Sequence, residues 1–248
     1  MIILSFLFFL TATLYASVGF GGGSTYLALL LIWDVSYLIF PVIALICNVI
    51  VVSGNCFNYI KAGNFNFKIL IPYLASSIPL AFIGGSLSID KVFFEILLFV
   101  VLTLTGVLLL LKFKSFDQNA ETYRKIPKIV SILIGGSIGF ISGVVGIGGG
   151  IFLSPILFLM KAGYPKQIAT TASLFILINS IFGVAGQLTK DIVFDEFLNF
   201  WPLFIAVLIG GQIGNFLNIK FLSGKTLAII TSLLVIFVAI RMGLRLLS

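Results

Sequence analysis

The sequence predicts an all-α integral membrane protein made of two homologous halves, each with about four hydrophobic segments. Of its 248 residues, 60% are hydrophobic and only 9% are charged, whereas soluble domains carry about 25% charged residues. The apolar residues form long continuous stretches that can cross a bilayer core of about 30 Å, and they do not alternate as barrel strands do. A glycine-rich motif also occurs twice, once in each half.

The repeated motif reads Val-Gly-Phe-Gly-Gly-Gly at residues 18–23 and Val-Gly-Ile-Gly-Gly-Gly at residues 145–150, and the copies lie 127 residues apart. Each glycine costs a helix about 1 kcal/mol relative to alanine. Glycine also permits a sharp turn and close backbone approach. We therefore expect a glycine-broken helix, re-entrant or discontinuous, to open each half.

The chain divides into an N-terminal membrane repeat (1–111), a hydrophilic linker (112–128) and a C-terminal membrane repeat (129–248). The linker is the longest hydrophilic stretch, and we expect it to be cytoplasmic. The predicted apolar segments are 2–33, 37–60, 69–87, 92–111, 129–160, 167–188, 197–219 and 226–247.

Two topologies fit these segments. If the glycine-broken segments span the membrane, the halves are parallel, and ten of the 15 Lys and Arg residues lie on the linker side. If those segments are re-entrant, the halves are inverted, and eleven lie on that side. Basic residues concentrate on the cytoplasmic side, so the count slightly favours inverted repeats, a recurrent transporter arrangement.

Each motif is followed by a short apolar run, at residues 24–33 and 151–160. We expect each run to be a short helix whose N-terminus points into the middle of the protein. Unpaired N–H groups and a partial positive charge at such an end bind anions without Lys or Arg. Ser24 and Thr25 add hydroxyl donors, whereas Ile151 and Phe152 occupy the equivalent places, so the site is predicted to be asymmetric.

Polar residues of the second and sixth segments form the next candidate layer, because intramembrane polar side chains usually face the bundle interior. Hydrogen bonding between helices accounts for them equally well. The predicted substrate-binding residues are Gly19, Phe20, Gly21, Gly22, Gly23, Ser24, Thr25, Asn48, Gly146, Ile147, Gly148, Gly149, Gly150, Thr170, Thr171 and Asn179.

Several activities are disfavoured by what the sequence lacks. It has no His, and no charged residue sits at the centre of an apolar segment, which argues against a proton relay, a metal site and an enzyme. We expect no cofactor and interpret Cys47 and Cys56 as packing residues. The net charge of +7 fits basic loops rather than nucleic-acid binding. We interpret Gly210-x-x-x-Gly214 as a helix-packing motif.

The chain resembles the TauE/SafE family of sulfite exporter-like membrane proteins. The resemblance rests on residues 143–150, Pro155, the polar run 169–173 and residues 19–23, and it covers essentially the whole chain. It implies a transporter of sulfite, sulfonates, thiosulfate or related organic anions in the cytoplasmic membrane. Members differ in substrate and direction, so it does not select sulfite itself.

We therefore expect a multi-pass protein of the cell membrane, inner or plasma, that acts as a secondary transporter for a small sulfur-containing anion. The alternative is an anion-selective channel or facilitator of similar architecture for a different small solute. The expected partners are the small anionic substrate and the lipid bilayer. A homo-oligomer, the direction of transport and the coupling ion are left open.

Overall fold

The computed structural model describes residues 1–17, 19–33, 35–112, 124, 126–163, 165–190 and 197–220, with single positions between 233 and 244. All regular secondary structure in these ranges is helical. The helices are α1 (Ile2–Ala16), α2 (Gly23–Ile32), α3 (Phe40–Lys61), α4 (Phe67–Ser86), α5 (Lys91–Lys112), α6 (Lys128–Val145), α7 (Gly150–Leu159), α8 (Pro165–Gln187) and α9 (Trp201–Lys220).

Four of the described helices are long and apolar enough to cross a membrane: Phe40–Lys61, Phe67–Ser86, Lys128–Val145 and Lys166–Gln187. Their mean hydropathy lies between 1.6 and 2.0. The all-α membrane prediction is confirmed at this level. Most of the predicted linker and most of the segment 226–247 lie outside the described residues.

The most extensive helix pair is α4 with α6. Its interface is a glycine face, where Gly135, Gly139 and Gly143 lie directly against the backbone of α4. Their neighbours on α4 are Tyr73, Ser77 and Ala81, respectively. Residue numbers therefore increase together along both helices, which shows that α4 and α6 run parallel. Small residues of this kind let membrane helices approach closely.

The pair of α1 and α9 is built in the same way. Gly210 lies against the carbonyl of Phe9, and Gly214 lies against the carbonyl of Thr13, so these helices are also parallel. This confirms helix packing as the role of the Gly210-x-x-x-Gly214 motif.

Helices α3 and α8 form the centre of the bundle and run antiparallel. Leu45 near the start of α3 lies against Gly183 near the end of α8. At the other end of the pair, Tyr59 of α3 and Ser173 of α8 both lie against Gly19. The two central helices are therefore in reach of both glycine motifs.

Candidate functional site

Both glycine motifs break the helical path at the predicted places. Helix α1 ends at Ala16 and α2 begins at Gly23, while α6 ends at Val145 and α7 begins at Gly150. Helices α2 and α7 are both 10 residues long.

Left-handed backbone at equivalent motif positions makes the turn. Gly19 and Gly22 have φ values of 83° and 91°, and their counterparts Gly146 and Gly149 have 91° and 79°. Gly148 is also left-handed, at 84°. Residues with a Cβ rarely adopt such angles, so glycine is required at these turns.

The two motifs meet at Asn48, which lies on α3 and is 0% exposed. Its Nδ2 donates to the carbonyl of Ile147 in the second motif at 3.0 Å. Its Oδ1 faces Gly21 of the first motif and has no hydrogen-bond partner within the described residues. One buried amide therefore touches both breaks.

A second hydrogen bond between the halves has its donor in the second half of the chain and its acceptor in the first. Ser173 of α8 is buried, and its Oγ donates to the carbonyl of Gly19 at 2.5 Å. Thus α3 holds a carbonyl of the second motif, while α8 holds a carbonyl of the first. Each glycine motif is fixed by a helix from the other half of the chain.

A small cavity of about 10 Å³ lies where the motifs meet. The residues that line it are Tyr15, Phe20, Gly21, Gly22, Gly23, Ser24, Ile147, Ile151 and Ile176. No charged side chain is among them. Tyr15 lies in the last turn of α1, and its hydroxyl is 2.7 Å from Thr25 Oγ1 and 3.4 Å from Ser24 Oγ.

The backbone adds donors at the same place. The N–H groups of Gly21, Gly22, Gly23 and Ser24 make no hydrogen bond within the described part of the chain. These residues are buried, and they form the approach to and first turn of α2. The cavity is therefore lined by residues with unpaired N–H groups at a helix N-terminus, where the helix dipole is positive.

The second motif presents a different surface. Gly148 and Gly150 lie against the side chain of Ile176, and Gly149 lies against Ile138 and Phe175. None of these three glycines lines the cavity. Gly148 also lies beside Asn48 Nδ2 and Ser180 Oγ. Residues at the start of α2 therefore line the cavity, whereas the glycines at the start of α7 pack against apolar side chains and these two polar groups.

Lys190 is linked through Gln187 to the last turn of α6. Gln187 Nε2 donates to the carbonyl of Gly143 at 2.8 Å, and Lys190 Nζ donates to Gln187 Oε1 at 2.9 Å. Lys190 lies beyond the end of α8, and partial burial lowers its pKa. A positive charge is thereby anchored through one side chain to the turn before the second motif.

The predicted site residues fall into three groups: those that line the cavity, those around it or within the two breaks, and those on α8 that do not line it. Phe20, Gly21, Gly22, Gly23, Ser24 and Ile147 line the cavity. Gly19, Thr25, Asn48, Gly146, Gly148, Gly149 and Gly150 lie around it or within the two breaks.

The remaining predicted residues lie on α8 and do not line the cavity. Thr170 Oγ1 donates to the Lys166 carbonyl at 2.7 Å, and Asn179 Nδ2 donates to the Phe175 carbonyl at 2.8 Å. Thr171 is buried on the same helix. Two of these three side chains therefore bond within their own helix.

Three residues that line the cavity are absent from the predicted substrate-binding residues: Tyr15, Ile151 and Ile176. A buried aromatic hydroxyl one turn before a helix break is a signal that could have found Tyr15. Ile176 carries no such signal, because it is one apolar residue among many on α8. Ile151 was recognised only as the counterpart of Ser24.

The model of the family described as "Sulfite exporter TauE/SafE" matches residues 4–242. The chain belongs to this family. It is similar to "Probable membrane transporter protein y4hK" of Sinorhizobium fredii, with 29% identity over 96% of both chains. It is also similar to "Probable membrane transporter protein YunE" of Bacillus subtilis, with 24% identity over 97% of this chain and 96% of the relative.

A third relative is "Probable membrane transporter protein MJ0441" of Methanocaldococcus jannaschii, with 30% identity over 54% of this chain and 50% of the relative. No solved structure shows a significant match. Together with the apolar helices, the family membership makes this TauE/SafE protein a multi-pass membrane transporter.

Proposed function

We propose that this TauE/SafE protein is a secondary transporter that moves a small sulfur-containing oxyanion, of the sulfite, sulfonate or thiosulfate type, across the cell membrane. The substrate binds at the cavity between the glycine motifs. The observation that carries this proposal is that residues 21–24, whose N–H groups are unpaired, line a cavity without charged side chains.

Hydrogen-bond donors at this cavity match an oxyanion. The start of a helix carries roughly half a positive charge, and free N–H groups there bind anions directly. Tyr15 and Ser24 add hydroxyl groups, and the buried Asn48 presents an unpartnered oxygen beside Gly21. That oxygen can accept a hydrogen bond from a protonated oxyanion. A site made of dipoles rather than full charges releases its substrate readily, as transport requires.

The two halves are inverted repeats in this proposal, and helix direction supports it. Helix α6 is parallel to α4. Helix α4 is parallel to α8, because their starts meet where Gly163, beside Gln167, lies against Ile69, and their ends meet where Gly85 lies against Gly186. Helix α1 is parallel to α9. Helix α9 is parallel to α3, since Gly211 lies against Val51 and Asn215 lies beside Gly54.

Because α3 and α8 are antiparallel, α1 and α6 also run in opposite directions. Corresponding helices of the two halves thus have opposite orientations, as inverted-topology repeats require. This orientation lets α2 and α7 approach the centre from opposite sides as re-entrant helices.

A carrier is favoured over a channel by the bonds that cross between the halves. Asn48 and Ser173 tie each glycine motif to the opposite half at 3.0 and 2.5 Å, so the site is held between two parts that can rock against one another. An anion-selective channel for another solute remains the second candidate. A carrier saturates and shows competition, whereas a simple pore does neither at low concentration.

The test is uptake of radiolabelled sulfite into proteoliposomes that contain the purified protein. We expect saturable uptake that is inhibited by sulfonates and thiosulfate and unaffected by a neutral solute of similar size. Gly22→Ala, which places a Cβ at φ 91° in the first motif, should abolish uptake. Gly63→Ala is the matched control, because Gly63 has φ 71° and no neighbour within 4 Å of an added Cβ. Undiminished uptake in Gly22→Ala would contradict the assignment of the site.

A further inference from the structure

The cavity has two chemically different sides. The first part of the chain lines it with Tyr15, Ser24 and residues 21–23, which bring two hydroxyl groups and unpaired backbone N–H groups. The second half of the chain lines it with three isoleucines, Ile147, Ile151 and Ile176, and the Ile147 carbonyl is already paired with Asn48 Nδ2. We call these three residues the isoleucine wall.

The wall lies next to the glycines at the start of α7. Ile176 lies against Gly148 and Gly150, and neither glycine lines the cavity. Ile151 stands one residue into α7, where its counterpart in α2 is Ser24. All three side chains of the wall are buried, at 5% exposure or less.

An anion surrounded by oxygens on every side does not match this arrangement. An oxygen directed at the isoleucine wall would lose its water without gaining a hydrogen bond, which costs about 1–3 kcal/mol. A methyl group in the same place would instead gain apolar contact, since each buried CH₂ contributes about 0.8 kcal/mol.

We infer that the wall determines specificity: the substrate directs a three-oxygen anionic head toward Tyr15, Ser24 and the start of α2, and a small apolar substituent toward the isoleucine wall. This inference rests on the proposed function and ranks its substrates: organic oxyanions with one short apolar group fit best, and sulfite, which has three oxygens and no fourth substituent, is also accepted. Ile151 and Ile176 are then the residues that reject anions with a polar group at that position.

Methanesulfonate and sulfamate test this orientation directly. They share charge, size and the three-oxygen head, and they differ only in a methyl group where sulfamate has an amino group. The wild-type protein should bind methanesulfonate about tenfold more tightly than sulfamate, because the wall leaves the amino group without a partner. The measurement is competition of each anion against radiolabelled sulfite uptake in proteoliposomes.

Ile151→Ser gives the second copy the hydroxyl that Ser24 supplies in the first. We expect the preference for methanesulfonate to fall from about tenfold to about onefold in this variant, because the hydroxyl can pair with the amino group. Ile151→Val is the matched control and should keep the wild-type preference. Ile176→Thr, which keeps the branched Cβ and is smaller by the terminal methyl group, should lower the preference in the same direction if Ile151→Ser fails to fold.

The outcomes distinguish failure of this inference from failure of the proposed function. Equal binding of methanesulfonate and sulfamate by the wild type overturns the orientation, as does an unchanged preference in both Ile151→Ser and Ile176→Thr. If sulfite is transported but neither test anion competes, only this inference fails. If sulfite is not transported either, the proposed function fails with it.

Discussion

Gly23→Ala is the sharpest perturbation of the junction between the two motifs. Gly23 is the first residue of α2, and its φ is not left-handed, so alanine adds no backbone strain there. The added Cβ would lie 2.7 Å from both Asn48 Nδ2 and the Ile147 carbonyl oxygen, where ordinary contacts are 3.4–4 Å. The two partners must therefore separate from Gly23 by about 0.7 Å or more.

The size of the effect follows from the bond that this shift breaks. Loss of the 3.0 Å bond from Asn48 to Ile147 leaves a buried donor and a buried acceptor without partners, at about 1–3 kcal/mol. Alanine recovers at most about 1 kcal/mol of helix propensity. We expect a net loss of about 1–2 kcal/mol, which lowers Tm by about 2–8 °C for a chain of this size.

Thermal unfolding in detergent and sulfite uptake in proteoliposomes measure the two consequences. Uptake should fall at least about tenfold, because the first motif and the second can no longer approach each other. Gly63→Ala separates this effect from general destabilisation. Gly63 has φ 71° and no neighbour within 4 Å of an added Cβ, so alanine there lowers stability by about 1–2 kcal/mol and leaves the junction untouched. Wild-type uptake and Tm in Gly23→Ala would refute the reasoning, and so would an equal loss of uptake in Gly63→Ala.

Three further variants test other parts of the molecule. Tyr15→Phe removes the hydroxyl 2.7 Å from Thr25 and should raise the KM for sulfite several-fold with little change in Vmax; an unchanged KM would exclude Tyr15 from binding. Asn48→Asp replaces the donor to Ile147 with a carboxylate beside the cavity and should abolish uptake. Asn55→Asp, equally buried on the same helix, is its control and should lower Tm without abolishing uptake. Equal uptake by the two variants would contradict a role for Asn48 at the site. Gly214→Ala drives a Cβ into the Thr13 carbonyl and should lower Tm by several degrees, whereas Gly211→Ala, 3.4 Å from Val51, should leave Tm nearly unchanged.

The helix breaks could be predicted from the sequence because their cause is local. Four glycines in six residues disfavour a helix in any surroundings, and the left-handed angles at Gly19, Gly22, Gly146 and Gly149 fulfil that expectation. The packing role of Gly210 and Gly214 was predictable for the same reason. A small-residue spacing in an apolar segment has few other uses.

The one-sided cavity could not be predicted in the same way, because it depends on which side chains meet across the bundle. The sequence shows that Ile151 and Phe152 occupy the places of Ser24 and Thr25, and so it predicts an asymmetric site. It does not show that Ile176 of α8 lies against Gly148 and Gly150 of the second motif. Nor does it distinguish Asn48, which reaches across to Ile147, from Asn179, which bonds within its own helix. These differences arise from the packing of α3 against α8.

Two hydrogen bonds between the halves, from Asn48 to Ile147 and from Ser173 to Gly19, determine how easily the proposed site opens. If the halves of the chain rock against one another, Asn48 must move with α3 and the Ile147 carbonyl with the second motif, so at least one crossing bond lengthens in each outward or inward state. Each such bond contributes only about 1 kcal/mol net, which is small enough to break in every cycle. A salt bridge buried at the same place would cost several kcal/mol to separate. The absence of charged side chains around the described cavity therefore suits both requirements of the proposed transporter, which are to hold an anion by dipoles and to open easily.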